Sequence, residues 1–294
     1  MLQKTPAEIV LIKKACEITR DALILAKSLI KEGISTFDID KSIEKFIIDS
    51  GGSAPCIGYM GYPSATCISV NDTVVHGIPN KNIILKKGDI VSVDIVVSYK
   101  GYCGDATRTY CVGEVDGEKE KLVRVTKECF FKGIENARVG DRIGKISSAI
   151  QHHAESNGFS VVRELTGHGI GRKMHEPPEV LNYGKETDGA VIKENMTIAI
   201  EPMINAGKKE IYVLPDGWGV KTRDGKPAAH YENTVLFTAS GVEVLTLEKD
   251  DEYYSKYCPK GWCGDCHSRQ REKSNFCCNW KRRKILLSRW RKKT

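Results

Sequence analysis

Long apolar runs are missing from this chain of 294 residues, which is 40% hydrophobic and 28% charged. No stretch approaches the roughly 20 consecutive apolar residues of a membrane span, and the N-terminus lacks the apolar segment of a signal peptide. These proportions are ordinary for a soluble globular protein. We therefore expect a cytoplasmic monomer without a membrane span, with enough chain to bury a substantial core.

Disulfides are not expected either, because cysteines in a reducing compartment are usually thiols or metal ligands. The chain has eleven cysteines, and five of them lie in residues 251–294. Residues 1–250 have little net charge, −2. Residues 251–294 are strongly basic, with 13 Lys and Arg against 4 Asp and Glu. The sequence predicts a nearly neutral, enzyme-sized domain over 1–250 and a basic, cysteine-rich tail over 251–294.

Helical periodicity occurs in two similar pairs. The first pair is predicted over 6–31 and about 36–50, and the second begins at 119–136 and continues in the amphipathic stretch after Ala137. Each pair leads into β-rich sequence, so we infer two halves related by an internal duplication, with chance similarity of amphipathic helices as the alternative. Strands that come in runs with hairpin turns favour an α+β fold with antiparallel sheet over alternating βαβ units.

The stretch 88–112 contains two β-rich runs around a short turn, which predicts a β-hairpin. Asp94 stands in the middle of a Val- and Ile-rich run, where an unpaired carboxylate is costly. Two registers are open: Asp105 lies directly opposite Asp94 or, if the loop is Lys100-Gly101, opposite Val96. Both registers place the carboxylates on one face, roughly 5–8 Å apart. This arrangement favours a bound cation over two solvated aspartates.

Three further candidate ligands lie in the second half of the chain. His168 lies in T-G-H-G-I-G, where the glycines keep the backbone slim enough for a ligand to approach. Glu201 ends the apolar run M-T-I-A-I-E-P, and Glu232 stands at the start of an apolar strand in H-Y-E-N-T-V-L-F. Four carboxylates and one imidazole form a hard, oxygen-rich set that suits two divalent ions sharing bridging carboxylates. Mn, Fe, Co and Zn all tolerate such a set, and the sequence does not choose among them.

Together these motifs resemble the methionine aminopeptidases. The two aspartates with ten residues between them, G-H-G-I-G, I-E-P-M and Y-E-N-T resemble the five-ligand pattern of that family, and residues 56–79 resemble its substrate segment. The likeness covers about residues 4–250, and the short spacing from His168 to Glu232 resembles the type I enzymes. It implies the pseudo-two-fold pita-bread fold. It also implies metal-dependent hydrolytic removal of the N-terminal methionine from nascent proteins, with a small second residue preferred.

The resemblance also implies which residues bind each of the two ions. Asp94 and Asp105 would hold one ion, with Asp105 bridging to the second. His168 would complete the shell of the second ion, and Glu201 and Glu232 would be bridging or shared. Glu201 would in addition handle the proton of the attacking water, whose pKa two cations lower.

The substrate contacts follow from the same resemblance. His76 in V-H-G-I-P and His175 in M-H-E-P-P would bind the scissile amide and stabilise the tetrahedral intermediate. Aromatic walls and soft sulfurs suit a thioether side chain. The methionine pocket would be built from Cys56, Tyr59, Tyr62, Cys67, Met174 and Trp218.

Four positions depart from the family pattern. Met174 stands where an aromatic residue is usual, His230 and Asn233 replace a Gln and a His around the last glutamate, and Thr166 stands where a cysteine is common. These changes affect the selectivity of the pocket and the surroundings of the ligands, not the class of reaction.

Two other functions remain open at this level. An X-Pro-type peptidase of the same fold usually carries an additional N-terminal domain, for which the helix start at Thr5 is expected to leave no room. A non-catalytic peptide- or ribosome-binding scaffold of this fold loses ligands, whereas this chain keeps all five.

The tail supports two hypotheses of its own. A four-cysteine zinc site would use Cys258, Cys263, Cys266 and either Cys277 or Cys278, with His267 as a spare ligand; a disordered thiol-rich tail is the alternative. Trp280, Trp290 and the K-R-R-K run suit contact with ribosomal RNA. A flexible extension or a basic helix on an anionic membrane are the competing interpretations.

Overall fold

The structure is a computed structural model that describes residues 3–257. The zinc-site hypothesis and the basic aromatic stretch of the tail both lie outside the described residues. Within those residues, no helix is long and apolar enough to cross a membrane.

Five α-helices, one short 3-10 helix and fourteen strands make up residues 3–257. In chain order they are α1 (Pro6–Leu29), α2 (Thr36–Asp49), a 3-10 turn (Tyr59–Gly61), β1 (Cys67–Val70), β2 (Thr73–Val75), β3 (Ile90–Tyr99), β4 (Tyr102–Cys111), α3 (Gly117–Ile134), α4 (Gly144–Ser156), β5 (Ser160–Val161), β6 (Gly167–Gly169), β7 (Glu176–Val180), β8 (Thr197–Ile200), β9 (Met203–Asn205), β10 (Ile211–Val213), β11 (Val220–Thr222), β12 (Ala228–His230), β13 (Asn233–Thr238), β14 (Gly241–Val244) and α5 (Tyr254–Tyr257). All strand pairs are antiparallel, so the predicted α+β class is confirmed.

Helix α1 shows how closely local sequence sets an element boundary. The pattern T-P-A-E predicts a capping box, and the Thr5 side chain accepts from the Glu8 N–H at 3.3 Å while a Glu8 carboxylate oxygen accepts from the Thr5 N–H at 2.9 Å. Pro6 occupies the first turn, where its missing N–H costs nothing. The predicted helix therefore starts where expected and ends two residues earlier, at Leu29.

Each half of the chain packs a pair of helices against its own sheet. In the first half, α1 and α2 cover the sheet β1-β3-β4 with buried side chains such as Leu23, Ile43 and Ile95. In the second half, α3 and α4 share a core with the five-stranded sheet β14-β13-β8-β6-β7, in which Phe130 and Phe237 are fully buried. Two layers of the same kind recur, as the inferred duplication requires.

The two halves meet where β4 runs beside the start of β13. Thr107 and Glu232 exchange two backbone hydrogen bonds, with N···O distances of 3.3 and 3.0 Å. The Thr234 hydroxyl accepts from the Asp105 N–H at 3.0 Å and donates to the Asp105 carbonyl at 2.9 Å. Two candidate ligands, one from each half, are thereby placed on adjacent backbones. We call this line of contacts the seam.

The first residues of the predicted tail pack against the body. The Tyr253 ring stacks on Phe131 with centroids 3.7 Å apart, and Tyr254 and Tyr257 of α5 are buried in the second-half core. Lys127 pairs with Asp251 at 3.0 Å. The chain thus stays in contact with the domain of residues 1–250 as far as Tyr257. The domain boundary at residue 250 stays a prediction.

Candidate metal centre and active-site cavity

The β3–β4 hairpin resolves the register that the sequence left open. Lys100 and Gly101 both have positive φ values, 49° and 78°, so the loop is the two-residue kind whose twist matches the flanking strands. Asp105 pairs with Val96, and Asp94 pairs with Thr107. The two carboxylates therefore lie diagonally on one face of the hairpin, as the second of the two registers predicts.

His168 is held in the tautomer that a metal ligand requires. Its Nδ1 lies 3.0 Å from the Gly169 carbonyl oxygen, which can only accept, so Nδ1 carries the ring proton. The lone pair on Nε2 then faces two carboxylates, Glu201 Oε1 at 3.5 Å and Asp105 Oδ2 at 3.8 Å. A second hydrogen bond that fixes the tautomer in this way is characteristic of metal-ligating histidines.

The glycines beside His168 are needed for close packing of strands, whereas the sequence suggested that they let a ligand approach. A Cβ on Gly167 would come 2.5 Å from the Ala199 carbonyl oxygen, and a Cβ on Gly169 would come 2.1 Å from the Pro177 carbonyl oxygen. They permit β6 to fit tightly between β7 and β8, and this close packing of backbones presents the imidazole to the cavity.

The acidic cluster is electrostatically unfavourable as it stands. Burial raises the pKa of Asp94 to about 6. Burial, with the charges of the neighbouring carboxylates, raises the pKa values of Asp105, Glu201 and Glu232 well above their usual range. Like charges this close oppose one another's ionisation.

A cation would relieve both the repulsion and the missing contacts. Asp94 Oδ1, Asp105 Oδ1 and Glu232 Oε1 are buried oxygens without a hydrogen-bond partner within residues 3–257. Ligand atoms of Asp105, His168 and Glu232 all lie within 4.8 Å of one another. Orphaned carboxylate oxygens beside a correctly polarised imidazole are what divalent ions bind, so the residues present fit a metal centre.

Two further histidines face this cluster from the cavity walls. His76 follows β2 with a left-handed backbone (φ 57°), a strained conformation of the kind that clusters at functional sites. The His175 ring lies 4.4 Å from the His168 ring, and its Nδ1 lies 3.0 Å from the Tyr59 hydroxyl. Burial, together with His175, lowers the pKa of His76 to about 4, and burial also lowers the pKa of His175. Both rings are therefore neutral at physiological pH and can donate one N–H each.

The predicted methionine pocket forms a small apolar cluster next to the acidic one. Tyr62 and Trp218 pack edge to face, with ring centroids 4.9 Å apart. The Tyr62 hydroxyl donates to the Thr66 carbonyl at 3.0 Å, which keeps the ring in place. Cys56, Cys67 and Met174 are buried in the same cluster. The pocket thus offers aromatic and sulfur surface, as the sequence predicts for a thioether.

One cavity of about 500 Å³ brings all the predicted residues together. Its walls include every candidate ligand, both candidate amide-binding histidines and every candidate pocket residue: Cys56, Tyr59, Tyr62, Cys67, His76, Asp94, Asp105, His168, Met174, His175, Glu201, Trp218 and Glu232. Their individual roles stay predictions, but their convergence is an observation.

Sequence reasoning missed several residues of this cavity as members of the site, among them Met203 and His230. Met203 and His230 face each other across the β9–β12 pair, and both line the cavity. His230 was visible only as a departure from a family pattern. The available signal was its spacing of two residues from Glu232, which places both side chains on the same side of an extended chain.

Comparisons with known proteins agree with this geometry. The sequence profile of metallopeptidase family M24 matches residues 10–239. A methionine aminopeptidase from Clostridium perfringens is 48% identical over 249 residues, which cover 85% of this chain and 100% of that protein.

Solved structures of the same fold give a similar picture. The methionine aminopeptidase from Thermotoga maritima superposes with a TM-score of 0.83 at 43% identity, and the match covers 84% of this chain and 100% of that one. The prolidase from Pyrococcus furiosus has a TM-score of 0.70 at 27% identity, and the match covers 84% of this chain but 66% of that one. The expected pita-bread fold is thereby confirmed.

Proposed function

The chain belongs to metallopeptidase family M24 and, within it, to the methionine aminopeptidases; we propose that it hydrolytically removes the N-terminal methionine from nascent proteins. The observation that carries this proposal is the single cavity in which a five-residue ligand set adjoins an apolar, sulfur-lined pocket. The ligand set suits hydrolysis, and the pocket suits a thioether side chain.

The carboxylates and His168 would hold two divalent ions. Asp94 and Asp105 would hold one ion and His168 the other, and Asp105, Glu201 and Glu232 could contribute to both. Bound cations supply Lewis acidity and lower the pKa of a water molecule, so that hydroxide is available near neutral pH. The cluster accommodates Mn, Fe, Co or Zn, and a metal titration identifies which ion supports turnover.

The protein's own groups then orient the peptide and move protons. Glu201 accepts the proton of the attacking water. If the Tyr59 hydroxyl donates to His175 Nδ1, the His175 proton lies on Nε2 and is available to the scissile amide. His76, which lines the same cavity, donates as well, so that two neutral imidazoles stabilise the oxyanion as it develops.

A pair of peptides and a metal series test this proposal directly. Chelator-treated protein is expected to be inactive and to recover on addition of a divalent ion. With that ion, Met-Ala-Ser should be cleaved much faster than Met-Lys-Ser, since a small second residue is preferred. Cleavage of an Xaa-Pro bond in a proline-containing peptide, with neither methionyl peptide cleaved, would instead assign the X-Pro activity. Purified protein without bound metal and without cleavage would indicate a binding scaffold.

The basic tail extends the proposal to where the enzyme works. Residues 251–294 carry a net charge of +9, which would attract the phosphates of ribosomal RNA near emerging nascent chains.

A further inference from the structure

His230 presents a ring nitrogen to the active-site cavity that lacks a hydrogen-bond partner. Its side chain is 3% exposed, and Nε2 is one of the buried polar atoms without a partner within residues 3–257. Buried polar groups in folded proteins are nearly always paired, so an orphaned one at a reactive centre calls for a functional explanation.

The backbone on both sides of this histidine is fixed. The Thr109 hydroxyl accepts from the His230 N–H at 3.0 Å and donates to the His230 carbonyl at 2.8 Å. The next residue, Tyr231, donates its N–H to the Pro202 carbonyl at 3.2 Å. The imidazole is thus anchored opposite the segment that carries Glu201.

The Glu201 carboxylate lies between two imidazoles that face different oxygens. His168 Nε2 is 3.5 Å from Oε1, and His230 Nε2 is 3.7 Å from Oε2. The Glu201 carbonyl accepts from the Asn182 side-chain amide at 2.9 Å, which fixes the backbone below it. His168 offers a lone pair, because its proton is on Nδ1. A carboxylate oxygen can only accept, so a bond from His230 requires the proton on Nε2.

We propose that His230 is a positioning residue for Glu201: its Nε2–H donates to Oε2 and orients the oxygen that receives the proton of the attacking water. Oε1 is then left facing His168. The inference rests on the proposed function, since it assigns a partner to the proton-accepting group of that reaction. The present 3.7 Å separation is longer than a hydrogen bond, and catalytic hydrogen bonds in unliganded sites commonly tighten in the complex.

A direct role for His230 in metal binding fits less well. Within residues 3–257, the carboxylate oxygen beside His230 Nε2 is Glu201 Oε2, whereas the candidate ligand His168 faces Glu201 Oε1. His230 approaches the cluster only through the second oxygen of Glu201.

Two substitutions separate positioning from other roles. His230→Leu removes the donor, and we expect kcat for Met-Ala-Ser to fall on the order of 10- to 100-fold, the range for losing a hydrogen bond to a charged group. KM should stay within about threefold of the wild-type value. The amount of bound metal per chain should not change. His230→Gln retains an N–H donor and should recover most of the lost kcat. His152→Leu, on the exposed side of α4, is the matched control.

Three results overturn the proposal. A raised KM, or acceptance of a larger second residue at unchanged kcat, would make His230 a wall of the substrate pocket. Loss of bound metal in His230→Leu would make it a ligand. Equal kcat losses in the Leu and Gln variants would remove the donor from the explanation.

A spectroscopic measurement decides the case without relying on turnover. In wild-type protein loaded with zinc and labelled with ¹⁵N-histidine, His230 should show the Nε2–H tautomer, its resonance being assigned by its absence in His230→Gln. The Nδ1–H tautomer would overturn the proposal even if His230→Leu fails to fold. Absence of Met-Ala-Ser cleavage by wild-type protein would refute the proposed function instead, and would leave this tautomer measurement intact.

Discussion

The two halves of the molecule contribute to one cavity by different structural means. The first half supplies Asp94 and Asp105 from a single hairpin of two ten-residue strands. The second half supplies His168, Glu201 and Glu232 from a three-residue strand and from the positions just outside two others. The hairpin fixes its carboxylates through its own register, whereas the candidate ligands of the second half are positioned by packing against neighbouring strands.

The halves also differ in what their ligands can do. In the proposed mechanism, the hairpin carboxylates only hold charge. The second half would add an imidazole ligand and, in Glu201, the proton-accepting carboxylate that His230 faces. Variants in each half should therefore fail in different ways.

The largest effect is expected in the hairpin. Asp94→Asn keeps the shape of β3 but removes a charge that the cations need, so kcat/KM should fall by more than about 10³-fold, with metal lost from the protein. The far-UV circular dichroism spectrum should be unchanged. Asp49→Asn, at the exposed end of α2, is the control. Turnover near the wild-type level would refute the assignment of Asp94 as a ligand.

A second-half residue outside the ligand set should slow the reaction without releasing metal. His175→Ala removes one donor to the developing oxyanion, which typically costs on the order of 10²–10³ in kcat. Metal content measured by mass spectrometry should match that of the wild type. A metal-free variant would show that His175 is itself a ligand.

The seam offers a smaller perturbation that touches both halves together. Thr234→Val removes two buried hydrogen bonds to the Asp105 backbone, so stability should fall by about 1–3 kcal/mol. The loss of activity should be smaller than for His175→Ala, because Asp105 shifts but keeps its charge. Urea unfolding measures the first effect and peptide cleavage the second. Thr238→Val, at the far end of the same strand, is the control, and equal losses for both variants would argue against a special role for the seam.

The smallest effect on catalysis is expected from the tail. A chain ending after Tyr257 keeps every candidate site residue, so cleavage of a short peptide should be unchanged. Its co-sedimentation with ribosomes should fall, and the difference from the full chain should be greatest at low salt. Equal sedimentation of both forms would exclude the tail as a ribosome anchor.

A chain ending after Asp250 provides a sharper comparison. It loses the Tyr253–Phe131 stack and the buried Tyr254 and Tyr257, so its melting temperature should lie below that of the chain ending at Tyr257. If both truncated forms have the same melting temperature, the packed segment 251–257 does not stabilise the rest of the domain.

The contrast between the halves also explains which parts of the structure the sequence could predict. The helix pairs and the β3–β4 hairpin are regular enough to show their periodicity, and β1 begins and ends where predicted. Strands β6, β7, β9, β11 and β12 were missed: four have only three residues, and β7 reads E-P-P-E-V without alternation. Their conformation depends on neighbours distant in sequence, which local propensity does not encode.

In the candidate site, too, residues marked by local sequence were predictable and residues that depend on distant contacts were not. Asp94 was conspicuous because an apolar run surrounds it, and Glu201 and Glu232 because each adjoins one. His230 carries no such mark: its importance depends on the distance to Glu201, set by the pairing of β9 with β12. The choice between the two hairpin registers likewise depended on the backbone at Lys100 and Gly101.

The seam has a consequence for how the protein folds. Asp105 and Glu232 are separated by more than a hundred residues, so a chain growing from its N-terminus completes the hairpin long before the opposite wall of the cavity exists. Contacts of such long range form late, because closing a large loop costs entropy before it gains anything. A complete binding site therefore exists only in the finished molecule, and an ion that binds there stabilises the native state by mass action. A bound metal ion would thus help to hold the two halves together. The supply of metal would then affect the stability of the fold as well as the rate of the reaction.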